Sequence, residues 1–275
     1  FPYTSQYDSG RDKYVSAWNL TKITLPSGGS IEIDYESDDY AYVQEKLAGQ
    51  MFEIEGFSAG PNSGTILNNI ESTGGVPNRT LFFKKADGNV DTPFTPEEVK
   101  ECVKNLKHIY FKAYVELNGK KNINDYVSGY LKIDPNGAYG VRTTNNDDHI
   151  AFLTVKDVYY DKKGELKPIH SIRKVALQHF HGRVDLQPAV FNPISQFNLL
   201  FGGPIKQYKK KGLALRISKD KPSFIRLNNP IKKKYGGGER VKMIKVNTGW
   251  GEVYGQKYSY VNEDGTSSGV ADYEP

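Results

Sequence analysis

The chain has 275 residues, with 37 Lys and Arg, 32 Asp and Glu, and a formal net charge of +5. That length allows one large domain or two ordinary ones, a lone cysteine excludes an intrachain disulfide, and no apolar run of about 18 residues is present to cross a bilayer as a helix. Hydrophobic residues make up only 37%, but 19 Tyr and 13 Phe bring large buried area, and a Tyr- and Gly-rich composition favours strands over helices.

The first element in chain order is WNLTKITLPSGGSIEIDYE, residues 18–36. Leu20, Ile23 and Leu25 predict a strand, Pro26-Ser27-Gly28-Gly29 a turn, and the alternation of Ile31, Ile33 and Tyr35 with polar residues a half-buried return strand. A helix is expected over 38–51, with Ser37 as cap and Tyr40, Val43, Leu47 and Met51 on one stripe. Residues 57–78, rich in Gly, Ser and Asn, read as a loop. RTLFFKKADGNV then predicts a strand turning at Asp87-Gly88.

Thr95-Pro96-Glu97-Glu98 carries the signature of a capped helix start, and Val99, Cys102, Val103 and Leu106 form the apolar face behind it. Cys102 reads as a small core residue on that face rather than as a nucleophile. IYFKAYVEL, residues 109–117, alternates as a strand. YVSGYLKIDPNGAYGVRT predicts a hairpin turning at Asp134-Pro135-Asn136-Gly137, and the next segment a hairpin turning at Asp161-Lys162-Lys163-Gly164. Residues 171–181 predict a helix and 193–201 a short second one. Strands return in GLALRISK, SFIRLNN, RVKMIKV and YGQKYSYV, with a turn at Glu263-Asp264-Gly265.

Few motifs carry chemistry. His179-Phe180-His181 with His170 nearby lacks zinc spacing, because residues two apart on a helix face different ways, so no metal is expected. The acidic pairs Asp38-Asp39 and Asp147-Asp148 sit where caps and solvated charges sit; no catalytic residue and no cofactor is assigned, and the chain is read as non-enzymatic. Residues 202–245 hold 14 Lys and Arg against two acids, Asp220 and Glu239. The basic patch centres on Lys209, Lys210 and Lys211 and on Lys232, Lys233 and Lys234. Gly236-Gly237-Gly238 follows, and its backbone amides could cradle a phosphate. The glycine spacing of a nucleotide loop is missing, and nucleic acid is disfavoured as a partner. Trp18, Trp250 and Tyr235 are the candidate ligand-binding residues, through ring faces that could stack on sugars.

GGGERVKMIKVNTGWGEVYGQKYSYVNEDGTSSGV resembles a recurring segment of large Rhs/YD-repeat-like proteins of Bacteroidetes. The carriers are the strand from Gly238 to Val246, the Tyr258-Ser259-Tyr260 strand and the turn Gly265-Thr266-Ser267-Ser268-Gly269. WNLTKITLPSGGSIEIDYE is similar to the family's other common phrase, and Tyr160-Asp161-Lys162-Lys163-Gly164-Glu165-Leu166 to the tyrosine–aspartate repeat. Residues 57–201 depart from the pattern. The resemblance implies a secreted or surface-exposed β-shell in which stacked hairpins form a hollow casing. Some members cut themselves at paired Asp-Pro-x-Gly motifs; this chain has a single such motif at 134–137, which suits a type I turn.

The expected fold class is α+β, predominantly antiparallel β, with a hairpin-rich scaffold of residues 1–56 and 202–275 and an inserted α+β subdomain of residues 57–201. Both chain ends look excised from a longer parent. The expected function is a structural segment of a secreted or cell-surface β-shell protein, whose partner is the rest of the parent or another protein at exposed sheet edges. The alternatives are an extracellular glycan-binding module, and a hydrolase whose carboxylates converge only in three dimensions.

Overall fold

The computed structural model describes residues 10–72, 74–86, 93–118, 123–143, 148–162, 165–179 and 212–273. The elements begin with α1 (Arg11–Val15), β1 (Lys22–Thr24), β2 (Ser30–Tyr40), β3 (Tyr42–Val43), β4 (Lys46–Leu47), β5 (Gly49–Ser58) and β6 (Thr80–Lys85). They continue with α2 (Pro96–Val103), β7 (His108–Asn118), β8 (Ile123–Lys132), β9 (Tyr139–Val141), β10 (Ile150–Thr154), β11 (Val158–Lys162) and β12 (Glu165–Ile169). Last come α3 (Ser171–His179), β13 (Arg216–Ile217), β14 (Phe224–Asn228), β15 (Lys234–Asn247), β16 (Val253–Lys257) and β17 (Val270–Ala271). The fold is α+β and predominantly antiparallel; of the strand pairs, β17 with β3 is parallel. The chain divides into two compact units, residues 1–49 with 228–275, and residues 50–227.

The larger unit is built on an eight-stranded sheet of order β13-β7-β14-β5-β6-β10-β9, with β8 on β7. Alternation along each strand sends one set of side chains into the core. Phe52, Ile54, Phe83, Phe111, Val115 and Ile225 are each at most 2% exposed. The rings of Phe52 and Phe94 each meet Phe83 edge-on, at centroid distances of 5.5 and 5.6 Å. Among the described residues, two helices complete this core. α2 starts on a closed capping box: Thr95 Oγ1 accepts the Glu98 N–H at 3.1 Å and Glu98 Oε2 accepts the Thr95 N–H at 2.8 Å. It buries Val99 and Cys102. Burial, helped by Glu98, pushes the Cys102 thiol up to about 12, so it stays protonated and acts as an apolar side chain. α3 packs on β8 and buries Ile172, Ala176 and Leu177.

The smaller unit has a four-stranded antiparallel sheet of order β1-β2-β15-β16 and a three-stranded sheet of order β17-β3-β4. The helix expected over 38–51 is not formed. β2 runs on to Tyr40, a short β3–β4 hairpin follows, and β5 begins at Gly49. Tertiary bonds override the helical stripe here. Asp39 is 4% exposed and paired with Arg240, so it cannot serve as a solvated first-turn charge. Gln44 at φ +53° supplies the positive φ of a two-residue hairpin turn, and its N–H is held by the Ala271 carbonyl at 2.8 Å.

A second correction concerns residues 126–143. The turn at Asp134 forms, closed by the Gly137 N–H on the Asp134 carbonyl at 3.0 Å. Yet its flanking strands do not pair with each other: β8 pairs with β7, and β9 with β10. The β11–β12 hairpin and α3 are present as expected. The turn at Asp87-Gly88 and the short helix over 193–201 lie outside the described residues.

Candidate functional site

The smaller unit is organised around charge rather than apolar packing. Arg240 Nη1 and Nη2 donate to the two Asp39 oxygens at 3.1 and 2.9 Å, and Nε donates to Glu36 Oε1 at 2.9 Å. The Ser267 hydroxyl donates to Asp39, and the Lys233 ammonium lies 3.6 Å from the same carboxylate. The Arg240 guanidinium also lies 4.3 Å from the centroid of the Tyr260 ring. This is a bidentate, multiply donated ion pair of the kind that survives partial burial.

The glycine run answers the phosphate expectation from within the chain. β15 bulges between Tyr235 and Glu239. The Asp38 carboxylate fills the bulge, and the Gly238 N–H donates to its Oδ1 at 3.0 Å. A Cβ on Gly236 would lie 2.4 Å from that oxygen, which is why glycine stands there. The anion of this cradle is therefore the protein's own Asp38. Lys234 Nζ donates to the Gly49 carbonyl at 3.0 Å, and Lys232 holds a positive φ of +53°. Lys209, Lys210 and Lys211 lie outside the described residues.

Trp18 and Trp250 are 98% and 86% exposed. Neighbouring bonds place them at opposite ends of the four-stranded sheet. Asn19 bonds Glu239 at the start of the regular part of β15, while Trp250 lies in the turn after Asn247. Eight residues of strand separate those anchors, roughly 26 Å at the usual strand rise. Tyr235 lies near the start of β15, far from Trp250, and its ring is already covered. Its ring carries the Arg11 guanidinium at 3.4 Å and the Lys233 ammonium at 5.1 Å. The three residues do not form one platform.

An open groove beside α1 is lined by Asp12, Lys13, Lys22, Glu32 and Asp34 among others. Glu32 and Asp34 share a face of β2, as a two-carboxylate mechanism would need. But Lys22 bonds Glu32 at 2.8 Å and Lys245 bonds Asp34 at 3.4 Å. Lys22 holds the Glu32 carboxyl below its usual range, so it stays ionised and does not serve as an acid.

In the larger unit, Glu71, His170 and Arg173 are each at most 1% exposed. Arg173 pairs with Glu71 and donates to the Leu213 carbonyl at 3.0 Å. Glu71 also accepts the His170 N–H at 2.9 Å. His170 Nδ1 accepts the Ile172 N–H at 3.2 Å and so caps α3. His179 ends the same helix and bonds Asp125 at 3.2 Å. Among the described residues no cluster of three or more His, Cys, Asp or Glu could hold a metal ion.

A surface that strand alternation alone did not reveal lies on the outer face of β7 and β8. The register pairs Tyr110 with Tyr130, Lys112 with Ser128 and Tyr114 with Tyr126, while Phe111, Ala113 and Val115 between them face the core. The rings pair across strands, at 5.9 Å and 71° for Tyr110–Tyr130 and at 4.9 Å and 50° for Tyr114–Tyr126. Lys112 Nζ lies 5.0 Å over the Tyr126 ring and Lys221 Nζ 5.2 Å over the Tyr114 ring. Tyr130 is 68% exposed. The sequence showed two alternating strands; only the pairing register places their tyrosines and lysines in one lattice.

No family model, no curated protein and no solved structure matches the chain.

Proposed function

We propose that the chain is a non-enzymatic structural segment of a large secreted or cell-surface β-shell protein of the Rhs/YD-repeat-like kind. Its smaller unit would be a strip of wall completed by neighbouring sheet. One observation carries this reading. The register of β1, β2, β15 and β16 puts Ile23, Ile31, Val246 and Tyr254 in one cross-strand row, and Ile33 with Ile244 in the next. None of these six is buried, and Ile23 and Tyr254 are 38% and 59% exposed. The opposite face pairs its own charges, Lys22 with Glu32 and Lys245 with Asp34. A sheet with one apolar face and one self-neutralised face is half of a packed pair of layers. Contiguous apolar surface of this kind marks an interaction site. The fully exposed β16 adds an edge that a further strand could extend.

Sedimentation of the full chain over a wide concentration range tests this. The reading expects reversible self-association that weakens when Ile31 and Ile244 are both changed to Thr. A chain that stays monomeric at every concentration, with both units unfolding in one two-state transition, would sink it. The exposure of Trp18 and Trp250 favours a second reading, a glycan-binding module, in which each tryptophan acts as a separate contact.

A further inference from the structure

We propose that the tyrosine–lysine face of β7 and β8 is a binding surface for an acidic polysaccharide, one carrying carboxylate or sulfate groups on a polyhydroxylated chain. The inference uses residues of the larger unit and stands apart from the structural role proposed for the smaller one.

The charge of the face points to an anion. Lys112 and Lys221 stand among the tyrosines, and the row beyond Tyr110 and Tyr130 pairs the exposed His108 with the exposed Lys132. The acids gather at the other end, where Arg216 lies 3.4 Å from Glu116 and Asn124 donates to Asp220 at 3.2 Å. Cations are therefore presented over the middle and one end of the face, and the nearby carboxylates already have partners. An extended polyanion laid along the strands would meet a tyrosine or a cation every second residue, about 7 Å apart at strand rise.

The geometry of the rings selects a sugar over a nucleobase. Base recognition on a sheet depends on bare ring faces that stack flat. Here Tyr114 and Tyr126 have ammonium groups over their faces, and Tyr110 and Tyr130 stand edge to face. The surface offers ammonium donors, phenol rims and the open side of Tyr130. These suit carboxylate or sulfate groups and hydroxyls, with one ring left for the apolar face of a sugar. The floor is rigid because the alternate residues of the same strands are core: Phe111, Ala113, Val115, Val127 and Leu131 are each at most 2% exposed. Ser128, small and exposed between Tyr126 and Tyr130, leaves a step in the lattice opposite Lys112.

The test is calorimetric titration of the full chain with three probes: oligogalacturonate, neutral dextran oligomers and oligothymidylate. The expected result is saturable binding of oligogalacturonate that weakens with added salt, with neither other probe binding comparably. Two side-chain variants locate the site, Lys112→Gln with Lys221→Gln, and Tyr130→Ala. Each should weaken oligogalacturonate binding roughly tenfold. All three residues are on the surface, so the thermal transition should stay in place, and that transition serves as the check on folding. No binding of oligogalacturonate at millimolar concentration overturns the proposal. Undiminished binding by the folded variants overturns it, as does tighter binding of oligothymidylate, which would reassign the face to single-stranded nucleic acid.

Discussion

His170 shows how a single side chain ties two elements together and makes them sensitive to acid. Its imidazole caps α3 through Nδ1, while the backbone N–H of the same residue is held by Glu71. Phe57 closes over the ring at 5.3 Å. Complete burial pushes its pKa down to about 3, so it is neutral in the folded chain. The unfolded chain, with His near 6.5, takes up a proton that the folded chain refuses. The stability from this residue is therefore complete above about pH 6.5 and is lost progressively as pH falls towards 3. At pH 4.5 the loss should be about 2–3 kcal/mol, from roughly two units at 1.36 kcal/mol each. Thermal unfolding at pH 7.5 and 4.5 checks this. His170→Asn keeps a capping acceptor and removes the titration, so its midpoint should fall less between the two pH values than that of the parent chain.

At the scale of elements, β2 and β15 show what was legible in the sequence and what was not. The Ile31, Ile33 and Tyr35 alternation named the first half of β2, because a period of two needs only local residues to be read. Its second half failed. Asp38 and Asp39 look like a helix first turn until Gly238 and Arg240, some 200 residues later in the chain, claim their carboxylates. No local pattern could announce those partners. α2 succeeded for the opposite reason: cap, first-turn proline and apolar face all lie within 95–102, so the helix is specified by its own residues. The Asp39–Arg240 pair also gives this unit a measurable dependence. Arg240→Met takes the bidentate partner from a buried carboxylate that keeps Lys233 and Ser267 beside it. The smaller unit should lose about 3 kcal/mol in denaturant titration, at the lower end for breaking a buried pair because Arg240 is partly exposed. Adding Asp39→Asn to that variant should recover part of the loss, since the stranded charge is then gone.

For the whole molecule, the two units are stabilised differently. The larger one has a two-layer core in which helices cover a sheet, and its Phe and Ile residues could be recognised from composition and alternation. The tyrosine–lysine face of its other side could not be. Tyr110, Tyr114, Tyr126 and Tyr130 are alternating aromatics in two strands, and nothing in either strand states that they lie opposite each other. The smaller unit has a charged centre and an apolar sheet face whose members stay partly exposed. That asymmetry is the basis for reading the chain as a segment that works within a larger β assembly. Segment-resolved hydrogen–deuterium exchange of the isolated full chain tests it most directly. A sheet lacking its second layer opens locally, so β2 and β15 should exchange at least about tenfold faster than β5, β6 and β7. If β2 and β15 are protected as strongly as the central strands of the larger unit, the smaller unit is complete by itself and the account is contradicted.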